Sequence, residues 1–323
     1  MNSSVDLVVT YQDVQEAATR IRPHIHRTPV MTSATLDRQL GVNAFFKGEN
    51  LQKVGAFKAR GALNAVLSLD PATAERGVVT HSSGNHGAAL AYAAATRGIP
   101  CTVVMPDDAP QIKQEAVAGY GAAIELCGQY ERDATAARVC AGTGGILIHP
   151  FEDPRVIAGQ GTATLELLED VPDLAAVITP IGGGGLLSGA AIVAAALSPG
   201  TTVLGAEPAL VDDAYRSLVS GRRQPRVPNS GTLADGLLTG IGANPFAILS
   251  AHGVAVVLVS EPEIVAAARF HLERMKTVVE PSGATGLAAL RHVANRFTGR
   301  RIGVVISGGN TDFAWLASAE ERT

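Results

Sequence analysis

Short apolar runs and apolar residues at helical spacing alternate along most of this chain. Short apolar runs bounded by turn residues are typical of buried strands, whereas apolar residues three or four positions apart are typical of helices. The alternation predicts strands at 78–80, 101–105, 123–126 and 145–148, with helices at 88–96, 111–118 and 131–140 between them. Strands that alternate with helices of this length predict a parallel sheet with helices on both faces.

The alternation continues towards the end of the chain and predicts a second unit. Its expected strands are 175–179, 202–206 and 302–306, and its expected helices are 163–168, 186–197, 261–276 and 286–293. Near the start, the spacing predicts a helix at 11–22 and a strand at 43–47, and the segment 221–228 is typical of a surface loop. We therefore predict an α/β fold of two parallel-sheet units with a cleft between them, because ligands in such folds bind at the carboxyl ends of strands.

The composition limits the possible partners. A chain of 323 residues is long enough for two domains, and 46% hydrophobic with 17% charged residues is typical of a globular protein. The net charge of -4, without any run of Lys or Arg, argues against nucleic acid and membrane surfaces as partners. The three cysteines lack metal-ligand spacing, which favours a reducing compartment. Because no signal-peptide pattern and no membrane-spanning apolar run is evident, we predict a cytoplasmic protein.

Lys58 is the first candidate for chemistry. It follows Ala56 and Phe57 and precedes apolar positions at helical spacing, so packing would partly desolvate its ammonium group. Desolvation disfavours the charged form of an amine, and a neutral lysine is a nucleophile near neutral pH. Most lysines beside apolar residues instead keep their charge in water. The pattern at Lys58 therefore has to be weighed together with three loops elsewhere in the chain.

Four consecutive glycines, Gly182, Gly183, Gly184 and Gly185, join an expected strand to a helix that opens at Leu186. Glycines let backbone amides approach an anion closely, and the positive end of the helix dipole adds to the attraction. The spacing matches neither the dinucleotide fingerprint nor a P-loop, which favours a single phosphate monoester as the ligand. A glycine turn required only for tight packing is the alternative.

A second loop joins the expected strand at 78–80 to a helix. Its hydroxyl groups, Ser82 and Ser83, and its backbone amides are suited to binding a carboxylate, and Asn85 is suited to a ring hydroxyl. His86 is either a titrating base or a structural hydrogen-bond donor, and the sequence leaves both open.

The third loop begins with Ser307, directly after the last expected strand. A serine hydroxyl can exchange a hydrogen bond with a pyridine nitrogen, but it is too weak an acid to keep that nitrogen protonated. The three loops and Lys58 are together complementary to a phosphorylated cofactor that carries a carbonyl group.

These stretches resemble the fold-type II pyridoxal-phosphate enzymes, the class of the tryptophan synthase β subunit, and within them the serine/threonine dehydratase and serine racemase group. The resemblance is carried by four motifs in the family's order, 55–62, 82–87, 182–185 and 307–310, and by shorter matches through most of the chain. It implies a two-domain α/β fold with a large cofactor-binding domain and a small domain, formed by 1–76 with 155–323 and by 77–154, respectively. The family also implies a homodimer.

The resemblance implies roles for single residues. Lys58 would hold pyridoxal phosphate as a Schiff base and would face Ser83 across the substrate Cα, which makes these two the catalytic residues. The cofactor would be bound by Phe57 beside the ring, Asn85 at the phenolic oxygen, Ser307 at the pyridine nitrogen, and Gly182, Gly183, Gly184, Gly185 and Leu186 at the phosphate. The substrate carboxylate would be bound by Ser82, Ser83, Asn85 and His86.

The implied reaction begins at the substrate Cα. The cofactor spreads the negative charge of the carbanion, Lys58 removes the α-proton, and a β-hydroxyl leaves. The product enamine then hydrolyses to a 2-oxo acid and ammonia. If Ser83 instead reprotonates Cα from the far side, the same carbanion gives racemisation. We therefore predict an ammonia-lyase for a small β-hydroxy-α-amino acid, with an amino-acid racemase and a non-catalytic pyridoxal-phosphate or nucleotide-binding protein as alternatives.

A second resemblance, at 206–213, implies a cation site. In the racemase-like branch, the carboxylates that correspond to Glu207 and Asp213 and the carbonyl that corresponds to Val211 bind magnesium or another hard cation such as Mn²⁺ or Ca²⁺. Oxygen-only ligands suit that choice. A solvated acidic loop is the alternative.

The resemblance also bears on the substrate. Ala56, where many threonine and serine enzymes have serine, is similar to the 3-hydroxyaspartate dehydratases. Arg132 and Thr239 correspond to positions near the substrate in this group, and a guanidinium pairs bidentately with a carboxylate. We therefore expect 3-hydroxyaspartate, with its second carboxylate, ahead of serine and threonine. An Arg132 on an exposed helix face, without contact to the substrate, is the alternative.

Overall fold

The structure, a computed structural model, describes residues 7–82, 84–109, 111–128, 131–228 and 230–316. The strands are β1 (Val30–Thr32), β2 (Asn43–Gly48), β3 (Val78–His81), β4 (Cys101–Pro106), β5 (Ala123–Cys127), β6 (Ile146–Leu147), β7 (Ala176–Pro180), β8 (Thr202–Pro208), β9 (Ala255–Val259) and β10 (Arg301–Ile306). The helices are α1 (Tyr11–Ile21), α2 (Ala34–Leu40), α3 (Lys58–Leu67), α4 (Pro71–Glu75), α5 (Asn85–Arg97), α6 (Gln111–Ala118), α7 (Arg132–Thr143), α8 (Pro154–Asp170), α9 (Gly185–Leu197), α10 (Asp213–Ser220), α11 (Ala243–Ala251), α12 (Glu261–Arg274) and α13 (Pro281–Val293).

The strands form two sheets. The larger sheet has six strands in the order β1-β2-β10-β7-β8-β9, and the smaller has four in the order β5-β4-β3-β6. The pairs are parallel except at one edge, where β1 runs antiparallel to β2 and Val30 lies opposite Lys47. The predicted α/β class with parallel sheets is therefore confirmed, with one antiparallel edge strand that the sequence did not reveal. Such mixed edges are common in large sheets.

Each of the two sheets takes its strands from a different part of the chain. All four strands of the smaller sheet lie between Val78 and Leu147, inside the range 77–154 predicted for the small domain. The larger sheet takes β1 and β2 from before that range and β7 to β10 from after it. The division into two domains and the boundaries between them stay a prediction.

Three helices that position the site meet through glycines. Helix α8 packs against both α3 and α9. A Cβ atom at Gly159 would lie 2.6 Å from the Cα of Gly61 in α3, and a Cβ at Gly189 in α9 would lie 2.5 Å from the Cα of Gly161 in α8. These distances leave no room for a side chain, so the three backbones touch. Because α3 begins at Lys58 and α9 follows the glycine loop, this packing fixes the separation of the two.

Behind Lys58, helix α3 is anchored by buried charges. Arg60 is fully buried, and its guanidinium lies 2.7 Å from Glu49 and 2.8 Å from Glu166. Lys47, also fully buried, pairs with the same Glu166 at 2.7 Å. Burial of an unpaired charge costs several kcal/mol, and each of these charges has an opposite partner with hydrogen-bonding geometry. The arrangement therefore holds the start of α3 in a single position.

Several elements were missed or shortened by the sequence analysis. Helix α8 begins at Pro154 and not at 163, because the Asp153 side chain caps its first turn and a proline suits the first helical position. The elements that the apolar pattern did not predict are β1, α2, α4, α10, α11 and β9. Among the described residues, no helix combines the length and the apolar character needed to cross a membrane.

Candidate active site

A cavity of about 580 Å³ lies where the loops singled out in the sequence come together. Both units contribute, since the loop after β3, the start of α7, the glycine loop after β7 and the loop after β10 all face it. The predicted site residues that line it are Phe57, Lys58, Ser82, Asn85, His86, Arg132, Gly182, Gly183, Gly184, Gly185, Leu186, Thr239 and Ser307. Ser83 lies outside the described residues, so its predicted role stays a prediction.

Lys58 is the first residue of α3, and its side chain is half-buried in the cavity wall. Its Nζ donates a hydrogen bond to the carbonyl oxygen of Pro150 at 3.0 Å and lies 5.1 Å from the centre of the Phe57 ring. Burial lowers the pKa of Lys58 to about 8. The amine is therefore far closer to its neutral, nucleophilic form at neutral pH than a lysine in water.

The glycine loop forms a cradle at the start of α9. Gly184 has a φ of 93°, which a residue with a side chain rarely adopts, and it precedes the helix without a side-chain cap among the described residues. A Cβ at Gly183 would overlap the ring of Phe151. The backbone amides at this helix start are therefore open to an anion in the cavity. That this anion is a phosphate stays a prediction.

At another wall of the cavity, Ser307 follows β10 and Asn85 begins α5. The carbonyl oxygen of Ser307 accepts a hydrogen bond from the Phe57 amide at 3.0 Å, which ties the serine loop to the residue before Lys58. The Asn85 side chain donates to Glu280 at 2.9 Å and accepts from Asn310 at 2.8 Å. Ser307 and Asn85 therefore approach the cavity from fixed positions.

Glu280 was missed by the sequence analysis. It is 4% exposed, lines the cavity, and has its pKa raised to about 8, chiefly by burial and next by the neighbouring Asp235. In the sequence, Glu280 comes directly before a proline that opens a helix, which is an ordinary helix-start pattern. Only its contact with the loop after β10, which is distant in sequence, reveals its place in the site.

His86 was left with two possible roles, a titrating base and a structural hydrogen-bond donor. Its side chain is 2% exposed, and its Nε2 lies 3.2 Å from the carbonyl oxygen of Ile148. Burial, and next the nearby Lys58, lower the pKa of His86 well below its ordinary value. The ring is therefore neutral and donates to a backbone oxygen, which favours the structural role. Both His86 and Ser82 line the cavity, and their contact with the substrate carboxylate stays a prediction.

The arginine predicted near the substrate lies in the cavity wall together with a second one. Arg132 begins α7, and Arg226 reaches the same cavity from the segment 221–228 that the sequence analysis assigned to the surface. Arg226 is exposed, but the segment packs on Gly240, where a Cβ would lie 3.1 Å from the Cβ of Arg226. Within the described residues, neither guanidinium has a hydrogen-bonded or ion-pair partner. Both positive charges are therefore free to meet an anion.

Other charged groups at the cavity are already matched. Lys113 of α6 forms an ion pair with Asp235 across the cavity. His81 lies 3.4 Å from Asp133, and its ring packs edge-on against that of His149 at 5.3 Å. Burial lowers the pKa of His149 to about 4. These groups add little free positive charge near neutral pH.

The residues predicted to bind a cation lie away from this cavity. Glu207 and Asp213 are each 2% exposed, and Val211 ends a short 3-10 turn between them. Glu207 accepts hydrogen bonds from the amides of residues 214 and 215, both at 2.8 Å, and Asp213 accepts one from the amide of residue 241 at 2.9 Å. Burial raises the pKa of Glu207 to about 8 and that of Asp213 to about 6.

The predicted cation site contains two carboxylates, Glu207 and Asp213, among the described residues. In the part of the chain that the structure describes, no group of three or more His, Cys, Asp or Glu side chains is arranged to hold a metal. The predicted set depends on a backbone carbonyl and on water for its remaining ligands, which Mg²⁺ and Ca²⁺ accept. Neither carboxylate has an ion pair within the described residues, so the chemistry of the donors fits a hard cation.

The cavity, with its half-buried lysine and its glycine cradle, can be compared with known proteins. A family model described as "Pyridoxal-phosphate dependent enzyme" matches residues 21–308. The chain belongs to this family. The match covers Lys58, the loop at 82–87, the glycine loop at 182–185 and Ser307. The predicted dependence on pyridoxal phosphate and the fold-type II class are therefore confirmed.

Relatives within the pyridoxal-phosphate dependent enzymes carry different reaction names. A protein named serine racemase from Dictyostelium discoideum is 48% identical over 314 residues, which cover 96% of this chain and 97% of that protein. A beta-hydroxyaspartate dehydratase from Paracoccus denitrificans is 47% identical over 308 residues, which cover 94% and 97%. The crystal structure of a threonine deaminase from T.th. matches with a TM-score of 0.88 and 44% identity, over 94% of this chain and 99% of that one.

Proposed function

We propose that this chain is an ammonia-lyase that dehydrates a small β-hydroxy-α-amino acid, with 3-hydroxyaspartate ahead of serine and threonine. The observation that carries the proposal is the pair of guanidinium groups, Arg132 and Arg226, in the wall of the cavity that contains Lys58. Two unpaired guanidinium groups favour a substrate with two carboxylates over a substrate with one. The name of the Paracoccus relative supports the same choice.

The residues of the cavity fit the family's cofactor. The Lys58 amine would bind the aldehyde of pyridoxal phosphate, the glycines 182–185 with the amide of Leu186 would bind its phosphate, and Ser307 and Asn85 would meet the pyridine nitrogen and the phenolic oxygen. When bound, the cofactor supplies an electron sink for negative charge that develops at the substrate Cα. The protein then has to bind the substrate, orient it and move protons.

Lys58 is the group that moves the α-proton. Its pKa of about 8 leaves a substantial neutral fraction at neutral pH, so the free amine can accept the proton from Cα. The neighbouring loop, with Ser82 and the start of α5 at Asn85, would hold the α-carboxylate. The β-hydroxyl leaves as water when its C–O bond breaks, taking up the proton that Lys58 accepted. The released enamine then reacts with water to give a 2-oxo acid and ammonia. Arg132, Arg226 and Thr239 would hold the side-chain carboxylate.

Racemisation is the second candidate function, and the serine racemase name of the Dictyostelium relative favours it. The two reactions share the loss of the α-proton and differ in the next step, since a racemase returns a proton to the opposite face of Cα. That step needs an acid opposite Lys58, which the family resemblance assigns to Ser83. We place elimination first because the two arginines favour 3-hydroxyaspartate, the substrate of a dehydratase. Racemisation is the alternative main reaction or a side reaction.

The proposal includes a structural cation. Glu207, Asp213 and the carbonyl of Val211 would bind Mg²⁺, Mn²⁺ or Ca²⁺ between the end of β8 and the start of α10. The buried, unpaired carboxylates support it. A homodimer and a cytoplasmic location complete the proposal and rest on the family resemblance and the sequence.

The function is tested with purified enzyme supplied with pyridoxal phosphate and a panel of β-hydroxy amino acids in all stereoisomers. Ammonia and 2-oxo acid are followed together with the enantiomer of each substrate. We expect one isomer of 3-hydroxyaspartate to give the highest kcat/KM for ammonia release. A higher kcat/KM for serine or threonine would contradict the substrate, and appearance of the enantiomer without ammonia would replace the lyase by a racemase.

A further inference from the structure

Glu280 begins α13 but does not serve that helix with its side chain. It occupies the N-cap position, where a side-chain oxygen usually accepts a hydrogen bond from the first helical turn, yet its side chain makes no such bond. The carboxyl oxygens turn instead towards the cavity, one accepting from the Asn85 side chain at 2.9 Å and the other from the backbone amide of Asn310 at 3.2 Å. Both oxygens are therefore committed to residues that belong to other elements.

These two hydrogen bonds belong to a closed ring that joins Glu280, Asn85 and Asn310, with one link made by a backbone amide. Asn310 donates from Nδ2 to the Oδ1 of Asn85 at 2.8 Å, and its backbone amide returns to Glu280. The same Nδ2 also donates to the carbonyl oxygen of Val54 at 2.8 Å. A backbone carbonyl can only accept, so this bond fixes which end of the Asn310 amide faces Asn85. The orientation of Asn85 is set in turn, with its oxygen towards Asn310 and its NH₂ towards Glu280.

This orientation leaves one Asn85 N–H for a ligand. An NH₂ group has two donors, and Glu280 takes one of them. Within the described residues, the second has no protein partner, and Asn85 lines the cavity. Without these hydrogen bonds to Glu280 and Asn310, the Asn85 side-chain amide could turn its oxygen towards the cavity. That oxygen would then repel the phenolic oxygen of the cofactor. Glu280 and Asn310 therefore determine that Asn85 acts as a donor.

The glycine after Ser307 is explained by the same contact. A Cβ at Gly308 would overlap Oε1 of Glu280 and would lie 3.2 Å from Nδ2 of Asn85. The backbone oxygen of Gly308 also accepts a hydrogen bond from the Glu280 amide at 3.1 Å. Only a glycine fits at position 308, because the Glu280 carboxyl and the Asn85 amide meet there. This steric requirement supports their contact independently of the hydrogen bonds.

We infer that Glu280 is a positioning residue for the cofactor, acting through Asn85, whose amide it holds with an N–H directed at the phenolic oxygen of pyridoxal phosphate. The inference rests on the family's cofactor and not on the choice of substrate. A donor at this oxygen stabilises its ionised form, so the loss of Glu280 should change both the affinity for pyridoxal phosphate and the visible absorption of the bound cofactor.

The test compares Glu280→Ala, Asn85→Ala and the double variant, with the Kd for pyridoxal phosphate measured by titration of the cofactor-free proteins. We expect each single variant to raise the Kd by about tenfold, which corresponds to the loss of one hydrogen bond to a charged group. The Kd of the double variant should be no higher than the higher of the two single-variant values. Non-additivity of this kind is the result that action through a shared group produces. Additive losses, or an unchanged Kd for Glu280→Ala, would overturn the inference.

A matched control separates positioning from general destabilisation. Glu261 is 8% exposed and accepts hydrogen bonds from Thr232 at 2.6 Å and from the amide of residue 233 at 2.8 Å, without lining the cavity. Glu261→Gln should leave the visible absorption and the Kd unchanged, whereas Glu280→Gln, which keeps one acceptor oxygen, should recover part of the affinity lost in Glu280→Ala. An equal spectral change in both glutamine variants would also overturn the inference.

Discussion

The amine of Lys58 donates a hydrogen bond to the carbonyl oxygen of Pro150 at 3.0 Å, and no carboxylate among the described residues forms an ion pair with it. A carbonyl satisfies one N–H without supplying the negative charge that would hold the ammonium form. Burial therefore dominates and lowers the pKa of Lys58 to about 8. The buried Arg60, two residues further along the same helix, is in contrast paired with carboxylates and keeps its charge.

We predict that cofactor-free protein takes up pyridoxal phosphate faster as the pH rises, with a plateau above about 8. Only the neutral amine attacks an aldehyde, and a lysine in water becomes neutral near 10.5. Stopped-flow absorbance at a series of pH values measures the rate. Lys58→Ala should never become yellow, whereas Lys53→Ala, on the turn before α3, should behave like the parent. A rate that keeps rising up to the pKa of an ordinary lysine would show that Lys58 is not desolvated.

The sequence alone could predict much of this site, because its parts are local. The glycine loop, the serine loop and the lysine each lie beside an apolar run, and a strand followed by a loop and a helix is readable from neighbouring residues. Glu280 and Arg226 were not predicted because their roles arise from contacts distant in the chain, with Asn85 and with the segment at Gly240.

For the fold as well, local patterns could be predicted from the sequence, whereas elements held by distant contacts could not. The buried strands of the sheet interiors are continuous apolar runs and were predicted to within a few residues. Strand β1 has three residues, none of them buried, and helix α2 has seven residues with one buried, so neither carries a clear period. Both are held by contacts with β2, as in the pairing of Val30 with Lys47, which no local pattern reports.

The two arginines give a prediction about substrate choice. Arg132→Ala and Arg226→Ala should each raise KM for 3-hydroxyaspartate by about tenfold, because each removes a charged hydrogen-bond donor from the second carboxylate. KM for serine should stay within about twofold. Arg222 is in the same exposed segment without lining the cavity, so Arg222→Ala is the control and should change neither value. Steady-state kinetics with serine and with 3-hydroxyaspartate measure these KM values. An equal rise of KM for both substrates would show that the two arginines do not determine substrate specificity.

Arg226 also has to be separated from the cofactor phosphate, which is a second anion in the cavity. The phosphate cradle at Gly183 to Gly185 is buried, whereas Arg226 is exposed at the opening. We therefore expect Arg226→Ala to leave the Kd for pyridoxal phosphate unchanged. A large increase of that Kd would assign the guanidinium to the phosphate and not to the substrate.

The proposed cation gives a prediction about stability. A chelator should lower the melting temperature, and Mg²⁺ should restore it, because an ion bound only by the folded chain stabilises it by about 2.7 kcal/mol at a hundredfold excess over its Kd. Asp213→Asn should melt at a temperature that neither chelator nor Mg²⁺ changes. Thermal unfolding followed by circular dichroism provides the measurement. Identical melting of the parent protein with chelator and with Mg²⁺ would remove Glu207 and Asp213 as ligands.

The glycines of α8 give a prediction about packing. Gly159→Ala should lower the free energy of unfolding by roughly 1–3 kcal/mol, because its Cβ would lie 2.6 Å from Gly61 Cα and 2.7 Å from the backbone oxygen of Arg60. Relief of that overlap requires α3 to move, and Lys58 would move with it, so the Kd for pyridoxal phosphate should rise as well.

Gly142 provides the control, since it lies within helix α7 with no atom within 4 Å of its Cβ position. Gly142→Ala should stabilise the protein by about 0.5–1 kcal/mol through helix propensity alone. Urea unfolding measures both changes, and a Gly159→Ala variant as stable as the parent would show that α3 and α8 are not held at backbone contact.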